Sequence, residues 1–166
     1  VTGVYGRHTD FAYAFSFLGI TEIISDNADK GSAPTDTGAD KDQLDGLTHT
    51  TSIPSIRAMW QQWYKAIGRA SLAIEFTETF EPIDEGLRTR LIGECQFLRA
   101  LNYFWLVRSF GGVPLQHIDL IERASVEEVY AYIEEDLNDA IANLPLKGEY
   151  AAPDLGRSEE HTSELQ

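Results

Sequence analysis

A chain of 166 residues that is 43% hydrophobic and 11% aromatic has enough apolar side chain for a packed core and too much for a disordered tail. Its 27 acidic against 13 basic residues give a formal charge of −14, and no basic stripe interrupts that field, which argues against nucleic acid as a partner. No run reaches the roughly eighteen consecutive apolar residues that a bilayer-spanning helix needs, and the single Cys95 permits no internal disulfide.

In chain order, the first expected helix is capped by Asp10 and carries Phe11, Ala14, Phe15 and Leu18 as its apolar side, extending toward Ile24 despite Gly19. One long polar loop follows from Asp26 to about Thr51, rich in Asp, Gly, Thr and Ser and containing Pro34. A second helix begins near Pro54 and places Met59, Trp60, Trp63, Ile67, Ala70 and Ile74 on one side. Pro82 and Asp84 separate it from a third, in which Leu91, Cys95, Leu98, Asn102, Trp105 and Leu106 recur at three- and four-residue steps. Gly111 or Gly112 supplies the stop and Pro114 forbids continuation. Ser125-x-x-Glu128 is a capping box opening a fourth helix, with Val126, Val129, Ile133, Leu137, Ala140, Ile141 and Leu144 as its apolar stripe before Pro145. No strand pattern competes, so the fold class is all-α, and the short connections predict antiparallel helical hairpins.

Catalytic machinery is hard to find in these residues. His8, His49 and His117 show no spacing that places two metal ligands on one helical face, and no nucleophile elbow or phosphate loop occurs. Cys95 lies within an apolar stripe and reads as core. Asp26, Asn27, Asp29, Asp36, Asp40, Asp42 and Asp45 offer hard oxygen ligands, and Asp26 with Asp29 are weak calcium candidates. Ala28 and Lys30 nevertheless occupy places where an EF-hand needs oxygen, so a solvated loop is the simpler reading. The helix-borne Trp60, Trp63 and Trp105 read as core, and Arg99 as a structural cation paired with Glu94 or Asp136. A loop of this length in a compact domain is the natural place for ligand contacts, which makes Asn27, Asp29 and His49 the candidates, with Tyr5 behind them.

The stretch from Gly93 to Leu115 resembles the signature of the SusD/RagB family of nutrient-binding outer-membrane lipoproteins. Gly93, Glu94, Phe97, Leu98, Arg99, Ala100, Tyr103, Phe104, Leu106, Val107, Arg108, Phe110, Gly111, Val113, Pro114 and Leu115 stand at the matching places, with Cys95 where a small residue is usual. Ser25 to Asp29 is similar to that family's acidic loop. Trp60, Tyr64, Ile67 and Ala70 are similar to its W-x-x-x-Y-x-x-I-x-x-A helix, with Ser71 where Asn is common. Arg123 to Tyr130, then Ile133, Asp136, Leu137, Ala140, Leu144 and Pro145, resembles a further block of it. The resemblance runs from about Tyr5 to Gly156.

The resemblance implies a tetratricopeptide-like arrangement of the helical hairpins and a protein without catalysis or cofactor. Such a protein captures an oligosaccharide or other nutrient at the cell surface and delivers it to a SusC-type TonB-dependent transporter. It further implies a surface-exposed outer-membrane lipoprotein whose signal peptide and lipid-anchor cysteine lie upstream, so that residues 1–156 form an incomplete N-terminal helical region. The final run, residues 157–166, reads as the translation of a sequencing adapter and not as native protein. The rival reading is a helical-repeat scaffold for protein–protein interaction, and a more distant one is a glycan hydrolase.

Overall fold

The computed structural model describes residues 1–25, 27–31, 33, 35–115, 122–146, 149, 150 and 154. The expected foreign run 157–166 and the loop residues Asp26 and Pro34 lie outside that set. Among the described residues the regular elements are all helical. They are α1 (Thr2–His8), α2 (Phe11–Leu18) running into a π-helical turn (Gly19–Ile23), α3 (Ala39–Asp45), α4 (Pro54–Thr79), α5 (Glu85–Phe110) and α6 (Val126–Asn143). The chain divides into two compact units, one of residues 1–5 and 63–166, the other of residues 6–62.

In the larger unit, Asp84 caps α5 by accepting the Leu87 N–H at 3.0 Å. The Arg88 guanidinium donates to the carbonyls of Thr77, Glu78 and Phe80, so the open C-terminal carbonyls of α4 are satisfied by the next helix. Ala70 and Ile74 of α4, Cys95 and Leu98 of α5, and Val4 of α1 form one apolar cluster, with Phe97 and Tyr5 partly buried against it. On the other side of α5, Gln96 bonds Asp139, Arg99 bonds Asp136 and Tyr103 meets Tyr132 edge-on at 5.4 Å. Residue numbers climb on α5 as they fall on α6, so the pair is antiparallel. A Cβ added to Gly93 would lie 3.2–3.3 Å from Asn143 and Leu144, which explains a glycine inside a helix whose neighbour comes this close.

Because α5 packs on both sides, Glu94, Ala100, Tyr103 and Val107 are buried as well as the expected Cys95, Leu98, Asn102 and Leu106, and a single-stripe reading understates its burial. Leu91 and Trp105, which periodicity assigns to that stripe, are half-buried. Val129, Ile133 and Ala140 of α6 are buried as expected, whereas Val126 is 40% exposed. The capping box is present in both directions, with Glu128 N–H on Ser125 Oγ at 3.1 Å and Ser125 N–H on Glu128 Oε2 at 2.8 Å.

That box sets an expected result. Ser125→Ala should cost about 1 kcal/mol of stability. The bonds from Ser125 hold the Glu128 carboxyl below its ordinary 4.5. The folded state therefore binds that proton less tightly than the unfolded state, and the stabilisation is present above pH 4.5 and lost as pH falls through the folded value. The difference in thermal midpoint between the unmodified protein and Glu128→Gln should narrow toward pH 3.

In the smaller unit Asp10 caps α2 as expected, accepting the Ala12 N–H at 2.9 Å. The face of α2 is the reverse of the expected one: Tyr13 and Ser16 are buried, while Phe11, Phe15 and Leu18 are 78%, 41% and 47% exposed. The polar loop is interrupted by α3, whose N-cap is Gly38 in the left-handed region at φ 86°. Leu44 of α3 packs with Ile23 and Ile53, and Ile20, Ile24 and Ile56 complete that cluster.

Candidate functional site

The segment from Ser25 to Ile53 carries Asn27, Asp29 and His49, and its shape is set by two cations. Lys30 and Lys41 are the only lysines or arginines between Arg7 and Arg57. The Lys30 ammonium donates to Asp42 Oδ2 at 2.9 Å and to the Ala33 carbonyl at 3.3 Å, and its backbone N–H donates to Asp45 Oδ2 at 3.2 Å. This fastens the first part of the loop onto α3. Lys41, 3% exposed, donates to Ser55 Oγ and to Asp40 Oδ2, lies 4.4 Å from the Phe15 ring centroid, and covers Gly19. It joins α2, α3 and the first turn of α4. Burial alone would raise the Asp40 carboxyl, but the bonds from Ser55 and Lys41 outweigh it and hold the group below the ordinary aspartate value.

Three acidic residues of the loop are thus engaged by lysines, which leaves other polar groups facing solvent. Asn27, Asp29, Asp36, Thr37, Thr48 and Thr50 are exposed. Asn27 donates its backbone N–H to Ser25 Oγ at 3.3 Å, which turns the chain locally. His49 is half-buried, and its Nδ1 is a buried atom without a hydrogen-bond partner. An array of short amides, carboxylates and hydroxyls on a pinned backbone suits hydrogen bonding to a polyhydroxylated ligand, because little ordering entropy remains to be lost on binding. Among the described residues no group of three or more His, Cys, Asp or Glu side chains is placed to hold a metal ion. Of the two weak calcium candidates, Asp29 is exposed and Asp26 lies outside the described residues.

Tyr5 does not share this loop; it belongs to the larger unit, partly buried against Val4, Ala70 and Cys95. The signature residues likewise make contacts within the helical unit. Tyr64 donates its hydroxyl to the Pro114 carbonyl at 2.8 Å, joining the α4 motif to the segment leaving α5. Gly111 has φ 72° and ψ −143°, a conformation open in practice to glycine alone. Arg123 donates to the carbonyls of Phe110 and Gly112, and Ala124 N–H donates to the Val113 carbonyl at 3.1 Å, clasping the exit before α6. Glu94 is fully buried with Arg90 Nε at 3.5 Å, and Leu98 and Tyr103 are core. Trp60 and Phe104 are half-buried, and Arg108 spreads over the rings of Phe104 and Trp105 at 5.1 and 5.4 Å. Burial pushes the Cys95 thiol up to about 11, so it stays protonated at neutral pH.

Comparison with known proteins decides the family. The profile of a SusD-like family, described as starch-binding and associating with the outer membrane, matches residues 21–154. The chain belongs to the SusD-like family. SusD-like protein P2 of Formosa agariphila is 29% identical over 130 residues, covering 74% of this chain and 25% of that one. SusD-like protein P38 of the same organism is 37% identical over 93 residues, 51% of this chain and 18% of its own length. A solved laminarin binding SusD-like protein superposes at TM-score 0.77 and 28% identity, over 99% of this chain and 38% of that one. Surface glycan-binding protein A from Bacteroides uniformis shares the fold at TM-score 0.75 and 23% identity, over 90% of this chain and 34% of its own. This SusD-like chain therefore spans about a quarter of the length of the curated relative P2.

Proposed function

We propose that this chain is the N-terminal helical region, residues 1–156, of a SusD-like protein that captures an oligosaccharide without bond chemistry. In this reading the protein sits as a lipoprotein on the surface of the outer membrane and delivers its ligand to a SusC-type TonB-dependent transporter. Residues 157–166 are then adapter translation. The observation that carries the reading is the likeness to the laminarin binding protein over nearly the whole chain, at an identity beyond fold alone. The pinned polar loop, which carries Asn27, Asp29 and His49, supports it; Tyr5, in the other unit, is a separate and weaker candidate.

The test is isothermal titration of the full-length protein with laminarin and with starch oligosaccharides. Saturable binding is expected, with no new reducing ends released on incubation. Asn27→Ala combined with Asp29→Ala should weaken affinity on the order of tenfold, as two lost hydrogen bonds of about 0.5–1.5 kcal/mol each would do, with the melting temperature unchanged. Absence of binding across a glycan array would remove the reading.

A further inference from the structure

In the smaller unit the inner face of α2 is supplied by Tyr13 and Ser16, which leaves two aromatic rings outside the core. Phe11 and Phe15, one turn apart, are 78% and 41% exposed, and their rings stack at 5.4 Å with 11° between the planes. The pair is nevertheless held in place. Lys41 lies 4.4 Å from the centroid of the Phe15 ring and is itself fixed by Asp40 and Ser55. A Cβ added at Gly38 would stand 3.6 Å from Phe15 Cζ, so the same ring rests beside the backbone that opens α3. Phe15 is thus anchored on the polar loop, and Phe11 is carried outward on Phe15.

The surroundings of the two rings are polar. Just ahead of Phe11, Thr9 is exposed and Asp10 is paired with Arg7 at 3.1 Å. On the loop, Asp36 and Thr37 are exposed next to Gly38. We propose that Phe11 and Phe15 form a stacking platform for a neutral pyranose unit of the bound oligosaccharide, beside the loop that carries Asn27, Asp29 and His49. This rests on the reading of the protein as a glycan binder and adds to it an aromatic contact. A pyranose gathers C–H bonds on one side of its ring and sends hydroxyls out from its rim. The C–H side meets the electron-rich face of the arene, and the hydroxyls meet carboxylate, guanidinium and hydroxyl groups around it. Rings already fixed by Lys41 and Gly38 lose little freedom when the sugar lands, so a few contacts suffice. The formal charge of −14 turns away sulfated and uronic acid units, which leaves neutral sugars as the class that fits.

Isothermal titration of the full-length protein with laminarin and starch oligosaccharides tests this through the chemistry of position 11. Phe11→Ala should weaken binding on the order of tenfold. Phe11→Leu keeps apolar area but has no π face and should weaken it by a similar factor, whereas Phe11→Trp should bind at least as tightly as the unmodified protein. A side chain this exposed can be truncated without loss of folding, so the melting temperatures of all three variants should match that of the unmodified protein. Unchanged affinity in Phe11→Ala or in Phe11→Leu overturns the platform and leaves glycan capture standing. So does a lowered melting temperature in Phe11→Ala, which would show the ring packed under other chain in the full-length protein. Absence of binding by the unmodified protein, to these sugars and across a glycan array, removes the glycan reading itself and the platform with it.

Discussion

Arg99→Ala is expected to destabilise the protein by about 3–5 kcal/mol, the usual consequence of stripping one member from a buried ion pair. Arg99 Nε and Nη2 meet the two carboxylate oxygens of Asp136 at 2.8 and 2.7 Å, Nη1 reaches Ser71 Oγ at 3.2 Å, and the guanidinium lies 5.2 Å from the Tyr132 centroid. One side chain of α5 thereby fixes both α4 and α6. The two side chains are 15% and 4% exposed, so water cannot replace the lost partner. Burial penalises both charges. At Arg99 the bonds to Asp136 overcome that penalty and raise its pKa, whereas at Asp136 burial outweighs Arg99 and the carboxyl lies above its ordinary range.

The remedy distinguishes geometry from charge. Asp136→Ala should match the arginine loss, because it leaves a guanidinium in the seam. Arg99→Lys should recover part of it at most, since an ammonium cannot repeat the two-toothed grip. Arg99→Met with Asp136→Leu should return close to the unmodified stability, as buried pairs replaced by apolar side chains commonly do. Thermal melts of the full-length protein read all four, with a fall of roughly 3–5 °C for each single alanine variant in a chain the length of the relative P2. Equal melting temperatures for Arg99→Ala and the unmodified protein would contradict the assigned role.

The sequence pointed to Asp136 or Glu94 as the partner of Arg99, and the structure pairs Glu94 with Arg90 and Asp136 with Arg99. Glu94 stands five residues before Arg99, outside the three- and four-residue steps at which helical side chains meet, but four residues after Arg90, so the count already disfavoured it; that Asp136, on another helix, takes its place is a matter of packing. Caps were legible for a physical reason. Asp10 and Ser125 act on backbone N–H groups within three residues of themselves, so their partners are written next to them; Asp84, expected only to separate two helices, caps α5 in the same way. Faces were less legible. On α2 the aromatic side chains outnumber what this short unit buries, and Tyr13 with Ser16 took the inner face. α3 escaped notice because its cap is a glycine with positive φ and its anchor is a lysine, Lys41, buried by partners fourteen residues away and more. α1 has no acidic first turn and contains Gly3 and Gly6, so local propensity argues against the helix that packing of Val4 stabilises.

Of the candidate site, the sequence located a loop but not its shape. Asn27 and Asp29 are residue types that serve a turn, a solvated surface or a sugar hydroxyl equally well, and no spacing separates those uses. The two lysines that pin the loop were visible as isolated cations in an acidic run, and that signal is physical: a lone ammonium among several carboxylates will find one of them. The same logic was available for Lys41 and would have argued for order within the loop.

Trp63→Ala should produce the second large loss, about 3–5 kcal/mol, by opening a cavity in the helical unit. Trp63 is fully buried and meets Phe110 edge-on with centroids 6.2 Å apart, near the glycine stop of α5. Trp60 and Trp105 carry the same side chain at half-buried places, where surrounding chain and solvent can close over a truncation, so their alanine variants should cost clearly less. Trp63→Phe, which keeps a ring against Phe110 but loses volume, should fall between. Chemical denaturation of the full-length protein, followed by tryptophan fluorescence for the partial variants and by circular dichroism for all, gives the order. If Trp105→Ala lost as much stability as Trp63→Ala, the burial assigned to α5 would be wrong on that side. If instead Trp105→Ala left stability alone and weakened glycan binding, the ring beneath Arg108 would be a ligand contact that its place in a helix had concealed.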